Sequence, residues 1–163
     1  RRFCDATRTA FARPHARRAA PGALSGVASS FKIRRRVEFS ETDMAGIVHF
    51  SNFYRYMESV EHAFFRSLGM SIAPGGEIGW PRVHASFDFR KPLRFEEEFE
   101  VELLVTEKRA RSLMYSIVVR KLDGTEVARG ALGVACIRKD PATGEMRATQ
   151  IPDHIAALIE AVA

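Results

Sequence analysis

One long amphipathic segment, residues 52–68, most constrains what this chain can fold into. Its apolar residues recur at spacings of three and four, the period of one helical face: Phe53, Tyr56, Met57, Val60, Phe64 and Leu68. Gly69 follows as a stop signal, and Ser51 or Asn52 is expected to be the N-cap. An apolar face of this length has to be buried, so the rest of the chain must supply a surface that covers it.

The segments on either side of that helix alternate with the period of a β-strand. They are residues 32–39 ahead of the helix and residues 82–89, 98–105, 112–121 and 126–138 after it. The Asp123-Gly124 pair predicts a hairpin between the last two, and Pro152 suits the start of a short C-terminal helix. The order β-α-β-β-β-β-α predicts an α+β domain with one antiparallel sheet and one dominant helix. Because that helix covers only one face of the sheet, a homodimer is expected.

The net charge of +5 is concentrated in the first thirty residues. Residues 1–30 hold six arginines and one acid, whereas residues 31–163 hold equal numbers of basic and acidic side chains. We therefore expect a disordered basic extension over 1–30 and one folded domain over 31–163, with organelle targeting by the extension as an alternative. A neutral body also removes the electrostatic argument for a nucleic-acid partner.

Apolar runs and cysteines limit the class of protein further. The longest apolar run, Ala131 to Ile137, is seven residues, against the roughly 20 that a membrane span needs. Cys4 and Cys136 have no metal-ligand spacing, which argues against a disulfide scaffold or a zinc site. We expect a cytoplasmic protein without a membrane span.

The turn SETDMAG lies between the first strand and the long helix, and it carries Asp43. Unpaired backbone N–H groups and the positive end of the helix dipole favour negative charge at such a position. An isolated turn aspartate usually caps its own loop. The alternative is a carboxylate that faces an electrophilic carbonyl, whose oxygen is held by backbone N–H groups.

The string EFSETDMAGIVHFSNFYRYME resembles the active-site segment of the 4-hydroxybenzoyl-CoA thioesterase family, with the pattern D-x-x-G-[IV]-V before an aromatic-rich helix. The resemblance extends over about residues 32–153. It implies a hotdog fold, in which a five-stranded antiparallel sheet wraps around one long central helix, plus a short C-terminal helix. It also implies hydrolysis of an acyl-CoA thioester to a free acid and CoA, without a metal or redox cofactor. Homodimers or homotetramers with active sites at subunit interfaces are expected.

The resemblance also assigns roles to residues. Asp43 corresponds to the catalytic carboxylate, as nucleophile or general base, Gly46 to the turn glycine, and the amide of Phe50 to the donor that polarises the thioester carbonyl. The acyl pocket is expected to include His49, Asn52, Glu58, Trp80 and Pro81. The CoA phosphates are expected near Lys108, Arg109, Arg111 and Ser112. In the Tol-Pal-associated branch a histidine stands seven residues after the aspartate. Here Phe50 occupies that position, and His49 precedes it.

The same residues allow two other catalytic arrangements, and each lacks a required part. A triad of Asp43, His49 and Ser51 lacks a G-x-S-x-G elbow, and a metal on Glu58 and His62 lacks a second liganding helix. The fold also allows a thioesterase that acts on an acyl carrier protein, or a non-catalytic module that binds acyl thioesters. The polar side chains of the expected pocket favour an aromatic or short acyl group over a long saturated chain.

Overall fold

The computed structural model describes residues 27–70, 72 and 78–162. Helix α1 spans Ser51–Ser67, helix α2 spans Asp153–Ala156, and a single 3-10 turn spans Phe39–Glu41. The strands are β1 (Ser30–Arg36), β2 (Ile78–Gly79), β3 (Arg82–Phe89), β4 (Glu98–Arg109), β5 (Ser112–Lys121), β6 (Glu126–Ala135), β7 (Ile137–Lys139) and β8 (Met146–Ala148).

Five strands form one antiparallel sheet in the order β1-β4-β5-β6-β3. The β5–β6 hairpin turns at the predicted Asp123-Gly124 pair, where Gly124 adopts a φ of 88° and the Lys121 N–H donates to the Thr125 carbonyl at 2.9 Å. A smaller antiparallel sheet has the order β2-β7-β8. The predicted α+β class, with a five-stranded antiparallel sheet and one long helix, is confirmed.

Helix α1 packs its apolar face against the sheet. Alternate residues of the two central strands are fully buried: Phe99, Val101, Leu103 and Val105 from β4, and Leu113, Tyr115, Ile117 and Val119 from β5. The helix contributes Tyr56, Val60 and Phe64, each without exposed surface. The buried side chains of α1 pack between those of β4 and β5. The position of α1 on the sheet is therefore fixed by the shapes of these side chains as well as by their apolar area.

Strand β3 is more exposed than its alternating sequence predicts. Val83 is 67% exposed and Phe89 49% exposed, although both belong to the apolar set of the strand. The reason is that β3 lies at the edge of the sheet, with β6 on one side and no strand of the described residues on the other. A strand at an edge is covered on fewer sides, so alternation alone does not fix its burial.

The two ends of the described chain pair with each other. Ala28 forms a parallel bridge with Ile159, and the Val105 N–H donates to the Ser29 carbonyl at 2.8 Å. Ordered contacts therefore begin before the predicted boundary at residue 31, while residues 1–26 of the expected extension lie outside the described residues. Helix α2 is also shorter than predicted, because Ile159 engages Ala28 instead of continuing the helix.

Neither helix of the described segments has the length and apolar character needed to cross a bilayer. The longer one, α1, is 17 residues and carries charged side chains along one face.

Candidate active site

A tight turn between the 3-10 turn and α1 holds Asp43. The Asp43 N–H donates to the Ile47 carbonyl and the Gly46 N–H donates to the Asp43 carbonyl, both at 2.9 Å. Gly46 has a φ of 71°, a left-handed conformation that favours glycine. The Ala45 N–H donates to Asp43 Oδ1 at 2.8 Å, whereas Asp43 Oδ2 has no partner among the described residues. The carboxylate is therefore oriented by its own turn and keeps one oxygen available.

The carbonyl of Glu41 joins this turn to the start of α1. It accepts the His49 N–H at 2.9 Å and the side-chain amide of Asn52 at 2.8 Å. Asn52 is 8% exposed, so the amide bond lies in a nearly buried position, where losing it is costly. Asn52, expected to line the acyl pocket or to cap the helix, joins the first turn of α1 to the 3-10 turn that precedes Asp43. Its expected contact with the acyl group stays a prediction.

The carboxylate of Glu41 is held in place from the other side. It accepts the Glu38 N–H at 2.9 Å and the Arg35 guanidinium at 3.2 Å, and that guanidinium also lies 4.8 Å from the ring centroid of Tyr56. Both polar ends of Glu41 are thus engaged, which fixes the backbone two residues before Asp43.

Phe50 occupies the N-cap position of α1, in place of the expected Ser51 or Asn52. Its N–H donates to no acceptor within the described residues. Ser51 Oγ instead contacts His49 Nδ1 at 2.8 Å, and the His49 ring lies against Phe50 with a centroid distance of 4.5 Å. The Asp43 carboxylate and the His49 ring have different partners, so the residues of the rejected triad do not form a relay.

Asp43 and Phe50 line the same groove, which has a volume of about 570 Å³. Its apolar walls come from both sides of the turn and from the β3–β4 connection: Ile47, Val48, Phe50, Phe53, Phe89, Pro92 and Leu93. Three basic residues lie on the same connection: Arg90, Lys91 and Arg94. The residues that line the groove thus include Asp43, with one free carboxylate oxygen, and Phe50, with a free backbone N–H, beside apolar walls. Attack on a bound carbonyl requires these groups.

The basic residues of the groove are ones that the sequence reasoning missed. The sequence does show a cluster of basic residues between two predicted strands, at Arg90, Lys91 and Arg94. A single sequence does not show that the β3–β4 connection folds back over the turn that holds Asp43. The backbone makes this contact, because the Val48 N–H donates to the Leu93 carbonyl at 2.8 Å.

Glu58 and Glu61 differ sharply in their surroundings. The exposed Glu58, an expected pocket residue, makes an ion pair with Arg82 at 3.1 Å and does not line the groove. Glu61 is 1% exposed and receives a 2.7 Å hydrogen bond from Arg82, yet its Oε1 has no partner among the described residues. Burial raises the pKa of Glu61 to about 7, against the opposing effect of Arg82.

The remaining pocket candidates lie near the other end of the helix. Trp80 is 8% exposed and its ring packs against Phe65 at 5.4 Å, while Pro81 precedes β3. Neither lines the groove that contains Asp43. Their expected contact with substrate stays a prediction, and it requires a second subunit to bring them to the groove.

The residues expected near CoA phosphates lie at the β4–β5 turn. Lys108 donates from Nζ to the carbonyls of Ala156 and Ile159, at 3.0 and 2.7 Å, so its ammonium holds the C-terminal segment. Arg109 pairs with Glu107 at 2.7 Å, and Arg111 is exposed. Ser112 begins β5 next to them. Arg109, Arg111 and Ser112 remain the candidates for CoA binding.

No three His, Cys, Asp or Glu side chains within residues 27–70, 72 and 78–162 lie close enough together to hold a metal ion.

Comparison with known proteins identifies relatives of this chain. Residues 45–128 match the family model described as the thioesterase superfamily. A protein of Aquifex aeolicus with a provisional esterase name is 39% identical over 95 residues, covering 57% of this chain and 74% of that protein. The 4-hydroxybenzoyl-CoA thioesterase of Pseudomonas sp. is 26% identical over 93 residues, covering 54% of this chain and 66% of that enzyme.

A solved structure agrees with the fold described above. The crystal structure of a 1,4-dihydroxy-2-naphthoyl-CoA thioesterase from Synechocystis superposes with a TM-score of 0.69 at 25% identity. The match covers 77% of this chain and 91% of that one.

Glu61 makes stability depend on pH in a definite direction. Its pKa is raised from 4.5 to about 7, so the folded state keeps the proton to higher pH than the unfolded state does. The resulting stabilisation is complete below pH 4.5 and is lost as the pH rises through 7, by up to roughly 3 kcal/mol. Between pH 5 and pH 8 the free energy of unfolding, measured by urea denaturation, should fall less for Glu61→Gln than for the parent. Glu160→Gln, at an exposed glutamate outside the Arg82 ion pairs, is the control and should keep the parental slope. Equal slopes for the parent and Glu61→Gln would contradict the assignment.

Lys108 is expected to act on stability. Lys108→Met removes two hydrogen bonds to C-terminal carbonyls and should lower the free energy of unfolding by about 1–2 kcal/mol, detectable as a lower Tm. Arg111→Met, at an exposed residue of the same turn, is the matched control and should leave Tm within error. Identical melting curves for Lys108→Met and the parent would show that these bonds contribute nothing.

Proposed function

The chain belongs to the thioesterase superfamily of hotdog-fold hydrolases, and we propose that it cleaves the thioester of an aromatic or short acyl-CoA at the groove containing Asp43. The predicted family and the predicted class of thioester hydrolase are confirmed by the family match and the named relatives. The substrate and the roles of individual residues are the proposal. The observation that carries it is the position of Asp43 and the Phe50 amide along one groove.

The reaction consumes water and releases a carboxylic acid and CoA. The thioester carbonyl oxygen accepts a hydrogen bond from the Phe50 N–H, which has no acceptor in the described protein. Asp43 Oδ2 then either attacks the carbonyl carbon, giving a mixed anhydride that water hydrolyses, or takes a proton from the attacking water. In both routes the C–S bond breaks and the thiolate of CoA leaves. A thiolate is a good leaving group, so the proposal requires no other general acid and no cofactor.

The shape and walls of the groove support an aromatic acyl group. Phe53 and Phe89 meet edge to face with a centroid distance of 5.1 Å, and both line the groove beside Phe50. Rings in such positions pack well against another flat ring. The named relatives act on 4-hydroxybenzoyl-CoA and 1,4-dihydroxy-2-naphthoyl-CoA, and both of these acyl groups are hydroxylated aromatic rings.

A homodimer is part of the proposal, and a tetramer built from such dimers is compatible with it. The free side of β3 presents backbone N–H and C=O groups, and Val83 and Phe89 add exposed apolar surface along the strand. Pairing two such edges would cover this surface. Because Phe89 also lines the groove, the partner subunit would then lie next to the substrate.

Loss of the carboxylate tests the reaction. We expect Asp43→Asn to lower kcat by about 100-fold or more, the scale for a lost base or nucleophile, without a change in Tm. The assay measures release of free thiol from 4-hydroxybenzoyl-CoA, acetyl-CoA and palmitoyl-CoA, and the parent should show the lowest kcat/KM for palmitoyl-CoA. Asp140→Asn is the matched control, since Asp140 also accepts turn amides on its Oδ1, at 2.8 and 3.0 Å. A folded Asp43→Asn protein with parental turnover would refute the mechanism.

The edge of β3 tests the assembly. Light scattering on the parent should give the mass of a dimer or of a multiple of it, whereas Val83→Lys should shift the protein towards the monomer by placing a charge in the interface. Met146→Lys is the control, because Met146 is exposed to a similar extent, 65% against 67%. A monomeric parent, or an unchanged mass for Val83→Lys, would speak against pairing through this edge.

A further inference from the structure

The charges that line the groove are unbalanced. Asp43 is its one acid, whereas Arg90, Lys91 and Arg94 are basic. The mechanism above uses the acid and leaves the bases without a role. Cations next to a groove of this size select an anionic ligand, because the apolar walls reduce the screening of their charge.

Two of these three cations are available to a ligand. Arg90 makes an ion pair with Glu126 at 3.1 Å. Lys91 and Arg94 are exposed, and neither makes an ion pair with a carboxylate of the described residues. Glu97, three residues after Arg94, accepts the Arg94 backbone N–H on Oε2 at 2.7 Å and pairs with Lys121 through Oε1 at 2.7 Å, so its carboxylate is held by groups other than the Arg94 guanidinium.

Arg94 lies close to the reacting position. A Cβ built on Gly46 would be 3.9 Å from Arg94 Nη1, so the guanidinium lies over the turn that holds Asp43. Gly46 and Asp43 are hydrogen-bonded across that turn at 2.9 Å. A group bound by Arg94 is therefore close to the atoms that react.

This closeness separates the two sources of negative charge in an acyl-CoA. The phosphates of CoA are separated from the thioester by the whole pantetheine arm, so they cannot lie beside Asp43 while the carbonyl is under attack. A substituent on the acyl group is only a few bonds from the carbonyl. The location of Arg94 therefore favours an anion on the acyl group.

We propose that Lys91 and Arg94 form a subsite for a carboxylate on the acyl group, and that the natural substrate is an aromatic acyl-CoA carrying such a group. This inference rests on the proposed function and narrows its substrate class. Arg94 supplies a planar pair of donors that matches a carboxylate, and Lys91 supplies a second positive charge on the same connection. Both residues act on binding and on selection of the acyl group, whereas Asp43 acts on the bond that breaks.

The test compares neutral and acidic acyl groups on the same carrier. The parent is assayed for thiol release from benzoyl-CoA, 3-carboxybenzoyl-CoA and 4-carboxybenzoyl-CoA. We expect kcat/KM for at least one acidic substrate to exceed that for benzoyl-CoA by about tenfold, the effect of one charge-assisted hydrogen bond. In Arg94→Gln and Lys91→Gln this ratio should fall towards one, because kcat/KM for the acidic substrate falls by a larger factor than kcat/KM for benzoyl-CoA. Arg66→Gln, at an exposed arginine near the opposite end of α1, is the matched control and should keep the parental ratio.

Each other result is decisive. If both variants lower kcat/KM for all three thioesters by the same factor, the cations bind CoA and the acyl subsite is wrong. If the parent shows no preference for an acidic substrate, or if the ratio is the same in parent and variants, the subsite is equally refuted. Failure of the proposed function has a different signature, since the parent would then release thiol from none of the three substrates.

Discussion

The double hydrogen bond on the Glu41 carbonyl is the interaction on which the site depends. It joins the backbone N–H of His49 and the side-chain amide of Asn52 to the residue that lies two positions before Asp43. The turn with the carboxylate and the first turn of α1 are separate pieces of backbone, and each could be well formed without being correctly placed against the other. The hydrogen bond from the nearly buried Asn52 amide to the Glu41 carbonyl fixes their relative position. Breaking this bond would leave two polar groups without partners and away from water, which is costly. Helix α1 begins at this junction and packs its apolar face against the sheet.

Much of the fold could be predicted because it follows from local periodicity. The face of α1 and the alternation of β4 and β5 are visible as spacings of three to four and of two, and each pattern needs only its own segment. The exposure of β3 could not be predicted from its local pattern. Val83 and Phe89 fit the alternation of a half-buried strand, but they are exposed because β3 lies at the edge of the sheet. The end of the C-terminal helix did not follow either, because it is set by Ala28, more than a hundred residues earlier in the chain. Non-local pairing is the information that one sequence does not display.

The same distinction applies to the candidate site. Asp43, Gly46 and Phe50 belong to one continuous motif, and the structure brings Asp43 and Phe50 to one groove. The expected lining residue Glu58 points to an arginine at the surface, whereas Glu61, one helical turn further, is enclosed. Position on the helix could have distinguished them, because Glu61 follows Met57 by four residues and precedes Phe64 by three on the apolar face. The cluster of cations on the β3–β4 connection is visible in the sequence, but its place beside Asp43 was not predictable, since that depends on how the connection folds over a distant turn.

The bridge between Ala28 and Ile159 places the two ends of the described chain side by side, with the Glu160 N–H donating to the Ala28 carbonyl at 3.1 Å. The two ends are therefore close enough in space for a short linker to join them. A permuted chain, with these ends joined by a short linker and reopened in the exposed Asp123-Gly124 turn, would retain the strand order β1-β4-β5-β6-β3 and leave the groove intact. In the natural order the five strands of the main sheet are complete at Ala135, whereas the bridge from Ala28 to Ile159 needs a segment that is synthesised later. The sheet can therefore assemble first, and this bridge, which joins residues far apart in the chain, forms as a later step.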